Sequence, residues 1–398
     1  MQEIRGKKQT ALCFASVIED EAVRQIRDVL DSPAAEGSKI RIMPDAHAGK
    51  GCVIGTTMTL TDKVVPNLVG VDIGCGMYTV RLRETEADLR KVDAAAHRIP
   101  SGMRVWDEPR EMFPLEYLRC FPSLRDTDWV WRSLGTLGGG NHFIEIDRAD
   151  DGSLYLVIHS GSRNLGCQVA RIYQKKAVLS VRKGDYAAKA GALIARLKAE
   201  GRQRDIEPAL VALKKETGRS IPDDLCYLTG QGMDDYLHDL FLCQTFAVRN
   251  RELMADMILA DAGLSAADRF HTVHNYIDQE DMILRKGAIR ARKGERVLIP
   301  LNMRDGSLLA VGKGNPDWNC SAPHGAGRVM SRKKAKETLS LADYKASMTG
   351  IYSTSVSMET IDEAPMAYKP AERIAEDIRD TVDVVGRLRP VYNFKAES

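Results

Sequence analysis

The amino-acid sequence predicts an α+β fold, and two observations support this class. Short apolar segments typical of strands are punctuated by glycines, and they are mixed along the chain with long segments of helical periodicity. The sequence also contains no internal repeat and no low-complexity segment. At 398 residues the chain exceeds the usual size of one domain, so one large domain or two intimate domains are expected.

The N-terminal part of the chain is predicted to be mostly strands. Four strands are expected, at residues 10–18, 39–43, 52–60 and 78–82. Two helices are expected, at residues 19–30 and 84–97. Residues 44–51 are polar and contain glycine, which predicts a loop after the second strand.

The middle of the chain is less regular. Residues 98–133 hold prolines at 100, 109, 114 and 122 and three of the four tryptophans, which predicts an irregular lobe or a substrate flap. Strands are expected at 143–147 and 154–158, and helices at 167–182, 186–200 and 234–262. The charged, proline-containing residues 201–230 are predicted to form a linker.

The C-terminal part returns to short strands. They are expected at 282–285, 296–300 and 307–311, joined by glycines at 287, 294 and 306. Residues 320–328 are predicted to open a helix that runs to about residue 339. Pro370 predicts a stop before a last helix over about 372–388, followed by an aromatic tail at 391–395.

Composition and charge narrow the class of protein. Lys and Arg number 57 against 55 Asp and Glu, so the net charge of +2 does not indicate a nucleic-acid-binding protein, and any basic surface is local. No run of about 18 uncharged apolar residues exists, and the N-terminus lacks the apolar core of a signal peptide, so no membrane contact is expected. The eight cysteines are scattered without a CxxC pair, which predicts a reducing, cytoplasmic location.

Residues 69–77, with the sequence VGVDIGCGM, form the first segment that suggests chemistry. Asp72 offers a hard oxygen and Cys75 a soft sulfur, a mixture that suits a borderline transition metal. Three glycines let the backbone turn tightly and approach a ligand closely. The segment is therefore predicted to be half of a metal site. The alternative is a strand end and a tight turn with a buried cysteine.

Five of the eight histidines lie in or beside polar loops that contain glycine or asparagine. They are His47, His142, His159, His274 and His324. Histidine is the commonest metal ligand and also serves as a nucleophile, so these residues together with the Asp/Cys segment predict one polar site. For each histidine taken singly, a structural role is the alternative. His97 and His238 are assigned to helices, and His271 could contact the site or support His274.

Two glycine-rich segments, 138–141 and 325–327, could offer backbone N–H groups to phosphate, and the second precedes a predicted helix. Neither fits the P-loop or the GxGxxG pattern, so a Walker-type nucleotide site is not expected, and ordinary turns are the alternative. Three cations are placed to bind phosphate: Arg163, Lys286 and Arg328. The basic run 332–336 could contact a nucleic-acid backbone, or it could be a solvated helix face.

Longer sequence blocks resemble the RtcB family of GTP-dependent RNA-splicing ligases. They occur in the order expected of that family, at residues 43–47, 69–77, 135–145, 159–163, 274–276, 285–288, 324–332 and 362–369. The resemblance runs from about residue 40 to the C-terminus. It implies short mixed strands around a central metal and GMP cleft, with long helices at the periphery. It further implies a single catalytic domain over residues 1–398, with a variable lobe at 98–133 and a helical insert at 167–262.

The resemblance implies a manganese enzyme that joins an RNA 3′-phosphate or 2′,3′-cyclic phosphate end to a 5′-hydroxyl end and consumes GTP. By similarity, the ligands of two Mn²⁺ ions are Asp72, Cys75, His142, His159 and His274. Cys75 would bridge the two ions. His324 matches the family's histidine that becomes covalently bound to GMP, and Asp45 would orient it. His47 is implied to assist the opening of a cyclic end.

Further residues resemble family contacts to the nucleotide and to RNA. The nucleotide contacts are Asn141, Glu145, Lys286, Ala326, Gly327, Tyr368 and Lys395. The RNA-phosphate contacts are Arg163, Asn275 and Arg328. In a regular strand His142 and Glu145 would face opposite sides, so the strand is expected to twist or to run between a metal subsite and a guanine subsite.

The chain also departs from the family pattern. Residues 300–304 read PLNMR where the family usually has PGSMG, which places the nucleotide contacts of that loop in question. Pro323 precedes His324 where a serine is common, and the tail continues past Lys395 as residues 396–398. These departures suggest a divergent branch devoted to RNA repair rather than to tRNA splicing.

Two alternatives to a ligase stay open from the sequence. One is a metal-dependent phosphohydrolase or phosphodiesterase that acts on RNA ends without GTP. The other is a non-catalytic RNA-binding relative. The partners expected of a ligase are RNA with the two kinds of end and GTP, and an activating protein could also be required. A monomer is expected.

Overall fold

The computed structural model describes residues 1–49, 51–216 and 221–395, and the strands within these residues are short except for the last. In chain order they are β1 (Gln2–Arg5), β2 (Thr10–Cys13), β3 (Ile40–His47), β4 (Ile54–Thr59), β5 (Gly76–Leu82), β6 (Phe143–Ala149), β7 (Leu154–Ser160), β8 (Ala266–Val273), β9 (Asn275–Asp278), β10 (Ile283–Lys286), β11 (Ala288–Arg290), β12 (Arg296–Asn302), β13 (Gly306–Gly312), β14 (Ser321–Pro323) and β15 (Val382–Lys395).

The helices of the described residues range from two turns to about ten. They are α1 (Asp20–Leu30), α2 (Leu89–Arg98), α3 (Thr127–Ser133), α4 (Arg163–Ala199), α5 (Ile206–Glu216), α6 (Gly230–Ala262), α7 (Arg332–Thr338), α8 (Leu341–Ser347) and α9 (Ala371–Asp377). In the part of the chain that the structure describes, none of these helices combines the length and the apolar character that a membrane span needs. The mixture of separate helices and mainly antiparallel strands is an α+β fold, as the sequence predicts.

Two sheets contain most of the strands. The first has the order β1-β2-β3-β4-β10-β9 and is antiparallel except between β2 and β3, where helix α1 makes the crossover that a parallel pair needs. The second has the order β12-β13-β15-β6-β7-β5-β8, and every neighbouring pair in it is antiparallel. A small pair, β11 with β14, lies beside them. Strands β8 and β9 are separated by one residue and belong to different sheets, so the two sheets meet there.

Helix α6 supplies much of the apolar packing between the sheets. Its first half buries Tyr236, Leu240 and Phe246 in the core beside the first sheet. Its second half buries Met254 and Ile258 against the second sheet and α2. A helix that is apolar along such a length gains free energy by removing that surface from water, and here it holds both sheets in place.

The helix at residues 167–200 differs from the prediction. The sequence predicts two helices, 167–182 and 186–200, whereas α4 runs unbroken for 37 residues. Gly184 does not end it, because one glycine costs a helix only about 1 kcal/mol relative to alanine. The residues predicted as a linker, 201–230, contain the further helix α5, and residues 217–220 of that segment lie outside the described residues.

Two predicted helices near the C-terminus are wrong in extent. The helix expected to open within 320–328 begins only at α7, where the Ser331 side chain accepts the backbone N–H of Lys334. The helix expected over 372–388 is the short α9 followed by strand β15. Three valines favour a strand after residue 381 and Gly386 disfavours a helix there, and β15 pairs with β13 and then with β6 along its length.

The lobe at 98–133 is largely irregular, as predicted, with α3 as its only α-helix among the described residues. Trp131 fixes part of it, because its Nε1–H donates to the carbonyl of Phe113 at 2.7 Å. Smaller differences concern element ends. Strand β2 ends at Cys13 rather than at residue 18.

Candidate active site

The strand ends of the second sheet bring the predicted metal ligands to one place. Cys75 directly precedes β5, and His142 directly precedes β6. His159 is the penultimate residue of β7, and His274 separates β8 from β9. Strand β5 pairs antiparallel with both β7 and β8, so its start lies beside their last residues. The register of the sheet therefore assembles residues that are far apart in sequence.

Cys75, His142 and His159 form the tightest part of this group. The Cys75 Sγ lies 3.5 Å from the Nε2 of His142 and 3.2 Å from the Nε2 of His159. The three ligand atoms all lie within 4.8 Å of one another, and all three residues are buried. Separations of this size are what three ligands of one metal ion require.

The two other predicted ligands adjoin this trio. The Oδ2 of Asp72 lies 3.1 Å from the Nε2 of His142, and the Nε2 of His274 lies 3.4 Å from the Nε2 of His159. We call the five residues the metal cluster: Asp72, Cys75, His142, His159 and His274. The predicted set is thus gathered at one site, although the ions themselves are not part of the structure.

The hydrogen bonds of the imidazoles fit a metal ion. The Nδ1–H of His142 donates to the Leu137 carbonyl at 2.8 Å, and the Nδ1–H of His159 donates to the Asn141 carbonyl at 3.1 Å. When such a ring is neutral, its one N–H lies at Nδ1 and its Nε2 has a lone pair for a cation in the cluster. Lone pairs, a thiol and the Asp72 carboxylate facing one another favour a cation between them.

The electrostatics of the cluster support the same interpretation. Burial, with neighbouring imidazoles, lowers the pKa of His159 and of His274 well below the usual value, so both rings are neutral ligands. Burial, followed by the Asp72 carboxylate, raises the pKa of Cys75 well above that of a free thiol. Burial also opposes ionisation of Asp72, but the hydrogen bond and charge of His142 outweigh it and bring its pKa to about 2. A bound cation would convert the thiol to the thiolate.

Close approach around Asp72 depends on one glycine. A Cβ added to Gly161 would lie 2.1 Å from the Asp72 Oδ1, well inside contact distance. Gly161 follows β7 and precedes α4, so the helix begins directly against the cluster. Any larger residue at this position would displace the carboxylate.

His324 and Asp45 form a second, tighter pair beside the cluster. The His324 Nδ1–H donates to the Asp45 Oδ2 at 2.6 Å, and the His324 backbone N–H reaches the same oxygen at 3.2 Å. Asp45 lies in β3 and is fully buried. The two hydrogen bonds that it accepts therefore fix the orientation of the His324 ring. The Nε2 of His324 is then left with its lone pair, and the ring centroid lies 4.9 Å from that of His274. This arrangement is that of an oriented nucleophile.

His47 ends β3 and lines the same cavity as His324. Its Nδ1 lies 2.9 Å from the Asp45 carbonyl, to which the Nδ1–H donates. Burial lowers the pKa of His47, so its ring is neutral. The third predicted catalytic residue therefore has a neutral ring in the lining of the cavity.

A cavity of about 330 Å³ opens beside the metal cluster, which contributes His159 to its lining. His159 and His324 form one side of it, and Glu145, Asn141 and Ala326 contribute elsewhere. The opposite side is charged. We call these four residues the charged wall: Arg328, Glu363, Tyr368 and Lys395.

Glu363 is the centre of the charged wall. Its Oε2 accepts the Tyr368 hydroxyl at 2.7 Å and the Lys395 Nζ at 2.9 Å, and its Oε1 lies 3.4 Å from Arg328. Burial alone would raise the pKa of Glu363, but Lys395 and Arg332 outweigh it and lower the pKa to about 2. The carboxylate is therefore ionised and organises the surrounding donors.

The remaining wall contacts tie Lys395 to the metal side of the cavity. The Lys395 Nζ also donates to the Asn141 carbonyl at 3.1 Å and lies 4.8 Å from the centre of the Phe143 ring. The same Asn141 carbonyl accepts from His159. One backbone group thus joins the metal cluster to the charged wall.

Glu145 occupies strand β6 and accepts a short hydrogen bond from the Asn393 side chain. Burial raises its pKa to about 8, against the lowering effect of Lys395. The predicted conflict of faces between His142 and Glu145 does not arise, because His142 precedes the strand and lies in the turn before it. Strand β6 therefore runs from the metal cluster to the part of the cavity that holds Glu145.

The loop at residues 325–327 contacts residues 300–304, the segment whose sequence departs from the family pattern. The Ala326 N–H donates to the Pro300 carbonyl at 3.1 Å, so it is already satisfied, and the loop does not lie at a helix N-terminus. Gly327 adopts φ +73° against the Asp45 backbone. The prediction of helix-terminal N–H groups for phosphate is therefore wrong, because β14 and a turn precede α7.

The altered residues 301–303 line the cavity. Leu301 and Met303 are buried, and the Asn302 Oδ1 accepts the backbone N–H groups of Arg304 and Asp305 at 3.0 and 2.9 Å. Asn302 thus closes the hairpin between β12 and β13 that glycine and serine would otherwise form. This keeps the loop folded while making its surface more apolar.

Three predicted phosphate or nucleotide contacts are not among the described residues that line the cavity: Arg163, Asn275 and Lys286. The Lys286 Nζ contacts Cys52 Sγ at 3.1 Å and the Asn67 carbonyl at 3.2 Å. Asn275 accepts the Gly287 N–H and lies near the Asp72 carbonyl. Their side chains are held by the protein in this state.

Arg163, the first residue of α4, is also held by the protein. Its Nε donates to Thr136 at 3.1 Å and its Nη2 to the Gly102 carbonyl at 2.9 Å. Burial lowers its pKa, with Asp72 opposing that effect. The predicted basic run 332–336 is largely paired as well, because Arg332 and Lys336 contact Asp362.

His271 does not join the metal cluster. Its ring stacks on Tyr78 at 4.2 Å, and its Nε2 lies 3.4 Å from Glu252. Burial, followed by Arg251, lowers its pKa to about 3. Of the two roles left open, contact with the site is not observed.

The sequence interpretation assigned no role to three residues that fix the site: Asn250, Arg251 and Glu363. Arg251 is fully buried and donates to the carbonyls of Gly74 and Ser160, at 2.8 and 2.7 Å. Asn250 accepts the N–H groups of Gly135 and Thr136. The sequence signal that could have identified Asn250 and Arg251 is their position as a polar pair within the apolar pattern of α6.

The fold and site define a class of protein in which a buried Asp/Cys/His cluster adjoins a histidine held by a carboxylate. The model of the family described as "tRNA-splicing ligase RtcB" matches residues 25–115 and 123–396. The chain therefore belongs to the RtcB family, as its sequence blocks predict.

Named relatives cover nearly the whole chain. The "RNA-splicing ligase RtcB" of Escherichia coli strain K12 is 30% identical over 401 residues, covering 89% of this chain and 90% of that protein. The "tRNA-splicing ligase RtcB" of Aeropyrum pernix is 27% identical, covering 88% and 86%. The protein of the same name from Archaeoglobus fulgidus is 26% identical, covering 94% and 91%.

Proposed function

We propose that this protein is an RNA ligase that acts in tRNA splicing or RNA repair. It joins an RNA 3′-phosphate or 2′,3′-cyclic phosphate end to a 5′-hydroxyl end, with GTP and Mn²⁺, through GMP bound covalently to His324. The observation that carries the proposal is the 2.6 Å bond from His324 Nδ1–H to Asp45, beside the metal cluster. The family and the names of the relatives support the same activity.

In the first proposed step the Nε2 lone pair of His324 attacks the α-phosphorus of GTP. A P–N bond forms, the bond to the β-phosphate oxygen breaks, and pyrophosphate leaves. The ring acquires positive charge as the bond forms, and the Asp45 carboxylate stabilises that charge through Nδ1–H. Asp45 thus orients the nucleophile and supports its charged form.

In the second step an RNA 3′-phosphate oxygen attacks the histidine-bound GMP, so the P–N bond breaks and His324 is regenerated. The 5′-hydroxyl oxygen then attacks the activated RNA phosphorus, its proton passes to a base, and GMP leaves. A cyclic end requires prior opening by water. His47 is neutral and lines the cavity, which supports its role as the base of that opening.

The proposed cofactor is a pair of Mn²⁺ ions held by the metal cluster. The donor set of one carboxylate, one thiol and three imidazoles supports a borderline transition metal, which these five side chains would hold with Cys75 at their centre. When bound, the ions would neutralise charge on the phosphoryl groups during transfer. The chain's own contribution includes the orientation of His142 and His159 by backbone carbonyls.

The cavity supports binding of the guanine nucleotide next to His324. Glu145 is proposed to accept from the guanine N–H groups, and Tyr368 and Lys395 to contact the nucleotide from the charged wall. Asn141, Ala326 and Gly327 also line the cavity. Arg328 is proposed to meet RNA phosphate. We further propose that Lys286 contacts the nucleotide and that Arg163 and Asn275 contact RNA phosphate. Each of these roles requires the side chain to exchange its present contacts when the substrate binds.

The proposed catalytic unit is one domain over residues 1–398, since its cavity draws on residues from His47 to Lys395. The lobe at 98–133 and the helical segment at 167–262 are proposed as its additions. Eight free cysteines support a reducing, cytoplasmic location. The monomeric state and an activating protein stay predictions.

The test is guanylylation with α-labelled GTP and Mn²⁺. We expect an acid-labile, alkali-stable label on the wild-type protein, which is lost in His324→Ala and kept in His238→Ala, a control in α6 with a partly exposed ring. Ligation of RNA ends should follow the label. Turnover of RNA phosphate ends without GTP that persists in His324→Ala would instead identify a phosphohydrolase, and RNA binding without any chemistry would identify a non-catalytic relative.

A further inference from the structure

We propose that a basic stripe along α4 binds the RNA backbone beyond the ligated ends, an inference that rests on the proposed function. The stripe consists of five residues: Arg171, Lys175, Arg182, Lys189 and Arg196. Helix α4 contains nine basic residues and one acidic residue, whereas the whole chain has a net charge of +2. Positive charge is therefore concentrated on this one element.

The spacing of the stripe places its members on one side of the helix. Arg171 and Lys175 are four residues apart, and each later member follows at an interval of seven. Seven residues are two turns with a drift of about 20°, so the side chains form a line that rotates slowly around the helix. At 1.5 Å per residue the line extends about 37 Å. All five residues are exposed.

The ion pairs of the stripe are exposed to solvent. Arg171 and Lys175 have no ion pair among the described residues. Arg182 pairs with Asp223 at 2.7 Å and Lys189 with Asp185 at 2.9 Å, and these side chains are 47–61% exposed except Asp185 at 21%. Arg196 lies 3.8 Å from Glu200, with side chains 67% and 43% exposed. Solvent-exposed pairs of this kind are weak, and a line of phosphates offers stronger, multivalent competition.

The stripe leads away from the active site itself. Helix α4 begins three residues after Ser160, the end of β7, and Gly161 between them packs on Asp72. Farther along α4, Arg182 binds Asp223, whose neighbour Asp224 lies against Gly51 in the loop that follows His47. Helix α4 thus starts beside the metal cluster, and Arg182 is connected through Asp223 and Asp224 to the loop that follows His47. The stripe is therefore placed to receive RNA that extends from an end at His324.

The occupant is inferred to be RNA because of charge and length. A line of cations at intervals of about 10 Å matches a polyanion with evenly repeated charge. Binding should therefore depend on RNA length and on salt, with little dependence on sequence. An acidic protein surface is the alternative that the experiment must separate.

Three matched variants test the proposal, each removing one Arg and one Lys. The proximal variant is Arg171→Gln with Lys175→Gln, and the distal variant is Lys189→Gln with Arg196→Gln. The control is Arg90→Gln with Lys91→Gln, two exposed residues of α2. Glutamine keeps the helix propensity of the replaced residues, so the helices should persist. Circular dichroism checks this.

The measurement is affinity for a 3′-phosphorylated stem-loop RNA as a function of salt. Each stripe variant should reduce the slope of log K against log salt by about 1.4–1.8, because two phosphate contacts are lost, and the control should keep the wild-type slope. With shorter RNA only the proximal variant should bind more weakly. The distal pair lies beyond the reach of a short substrate.

Wild-type slopes in both stripe variants, or an equal loss in the α2 control, would overturn the proposal. RNA binding unchanged while a pulldown with an acidic protein is lost would identify the alternative occupant and also overturn it. Guanylylation of His324 needs no RNA and should be unchanged in all three variants. If wild-type protein shows no guanylylation, the proposed function fails, but the RNA-binding comparison still decides the role of the stripe.

Discussion

The two sides of the cavity are built on different principles. The metal cluster is held by the backbone, because carbonyl groups fix the rings of His142 and His159 and strand register fixes Cys75. The charged wall is held by side chains, with Glu363 at the centre of an ion-pair network. The cluster presents mainly neutral donors to a cation, whereas the wall presents fixed charges to a nucleotide.

This difference indicates which parts of the cavity tolerate amino-acid substitution. A cluster fixed by backbone bonds loses its function when a ligand is replaced, because no neighbouring side chain substitutes for the missing donor. The hairpin at 300–304, by contrast, contributes its shape to the cavity. Its sequence differs from the family pattern, but Asn302 keeps its turn closed. We therefore expect the largest effects at the cluster and the smallest at the nucleotide side.

The largest effect is expected from Cys75→Ala. It removes the atom that lies between His142 and His159, so bound metal and ligation should both be lost. The loss should exceed the about 10–100-fold effect typical of removing an outer hydrogen bond of a metal site. Metal analysis of the purified protein measures it. Cys13→Ala, at another buried cysteine, is the control that should keep its metal; wild-type metal content in Cys75→Ala would contradict the assignment.

Asp45→Asn should have the next largest effect. Its amide can donate to His324 Nδ1 and move the ring proton to Nε2, which removes the nucleophilic lone pair. Guanylylation should fall by about 10²- to 10⁴-fold, the range of a lost acid–base partner. Bound metal should stay at the wild-type level, because Asp45 contacts His324 rather than the cluster. A parallel loss of metal would show that the cluster and the nucleophile are one unit.

The same difference explains what the sequence could predict. Residue types and loop positions were enough to group Asp72 and Cys75 with five histidines in one polar site, because metal and nucleophile chemistry requires those side chains. The resemblance to the family then separated the five ligands from the Asp45–His324 pair. Glu363 could not be found in this way. Its partners Arg328 and Lys395 lie 35 and 32 residues away, and only the folded chain brings the three segments together.

The errors in secondary structure have a related cause. Residues 382–388 carry charges at a spacing that imitates a helix face, but they pair with β13, and the following residues of the same strand pair with β6. Lys286 was assigned to the nucleotide from its position in a block, yet its side chain reaches Cys52 and Asn67. Patterns along the chain do not contain such long-range contacts.

The smallest effect is expected from Glu145→Gln on the nucleotide side, as a change in pH dependence. Burial raises the pKa of Glu145 to about 8, above the usual 4.5, so the unliganded protein carries a proton there at neutral pH. The guanine N–H groups require the carboxylate as acceptor, so GTP binding should release that proton. Wild-type affinity relative to the glutamine variant should therefore rise with pH up to about 8, by at most about tenfold per pH unit, since one proton is linked. Calorimetric titrations with GTP at pH 6, 7 and 8 measure this ratio. A ratio that falls with pH would mean that the protonated carboxyl donates to the base, and a constant ratio would remove Glu145 from guanine recognition.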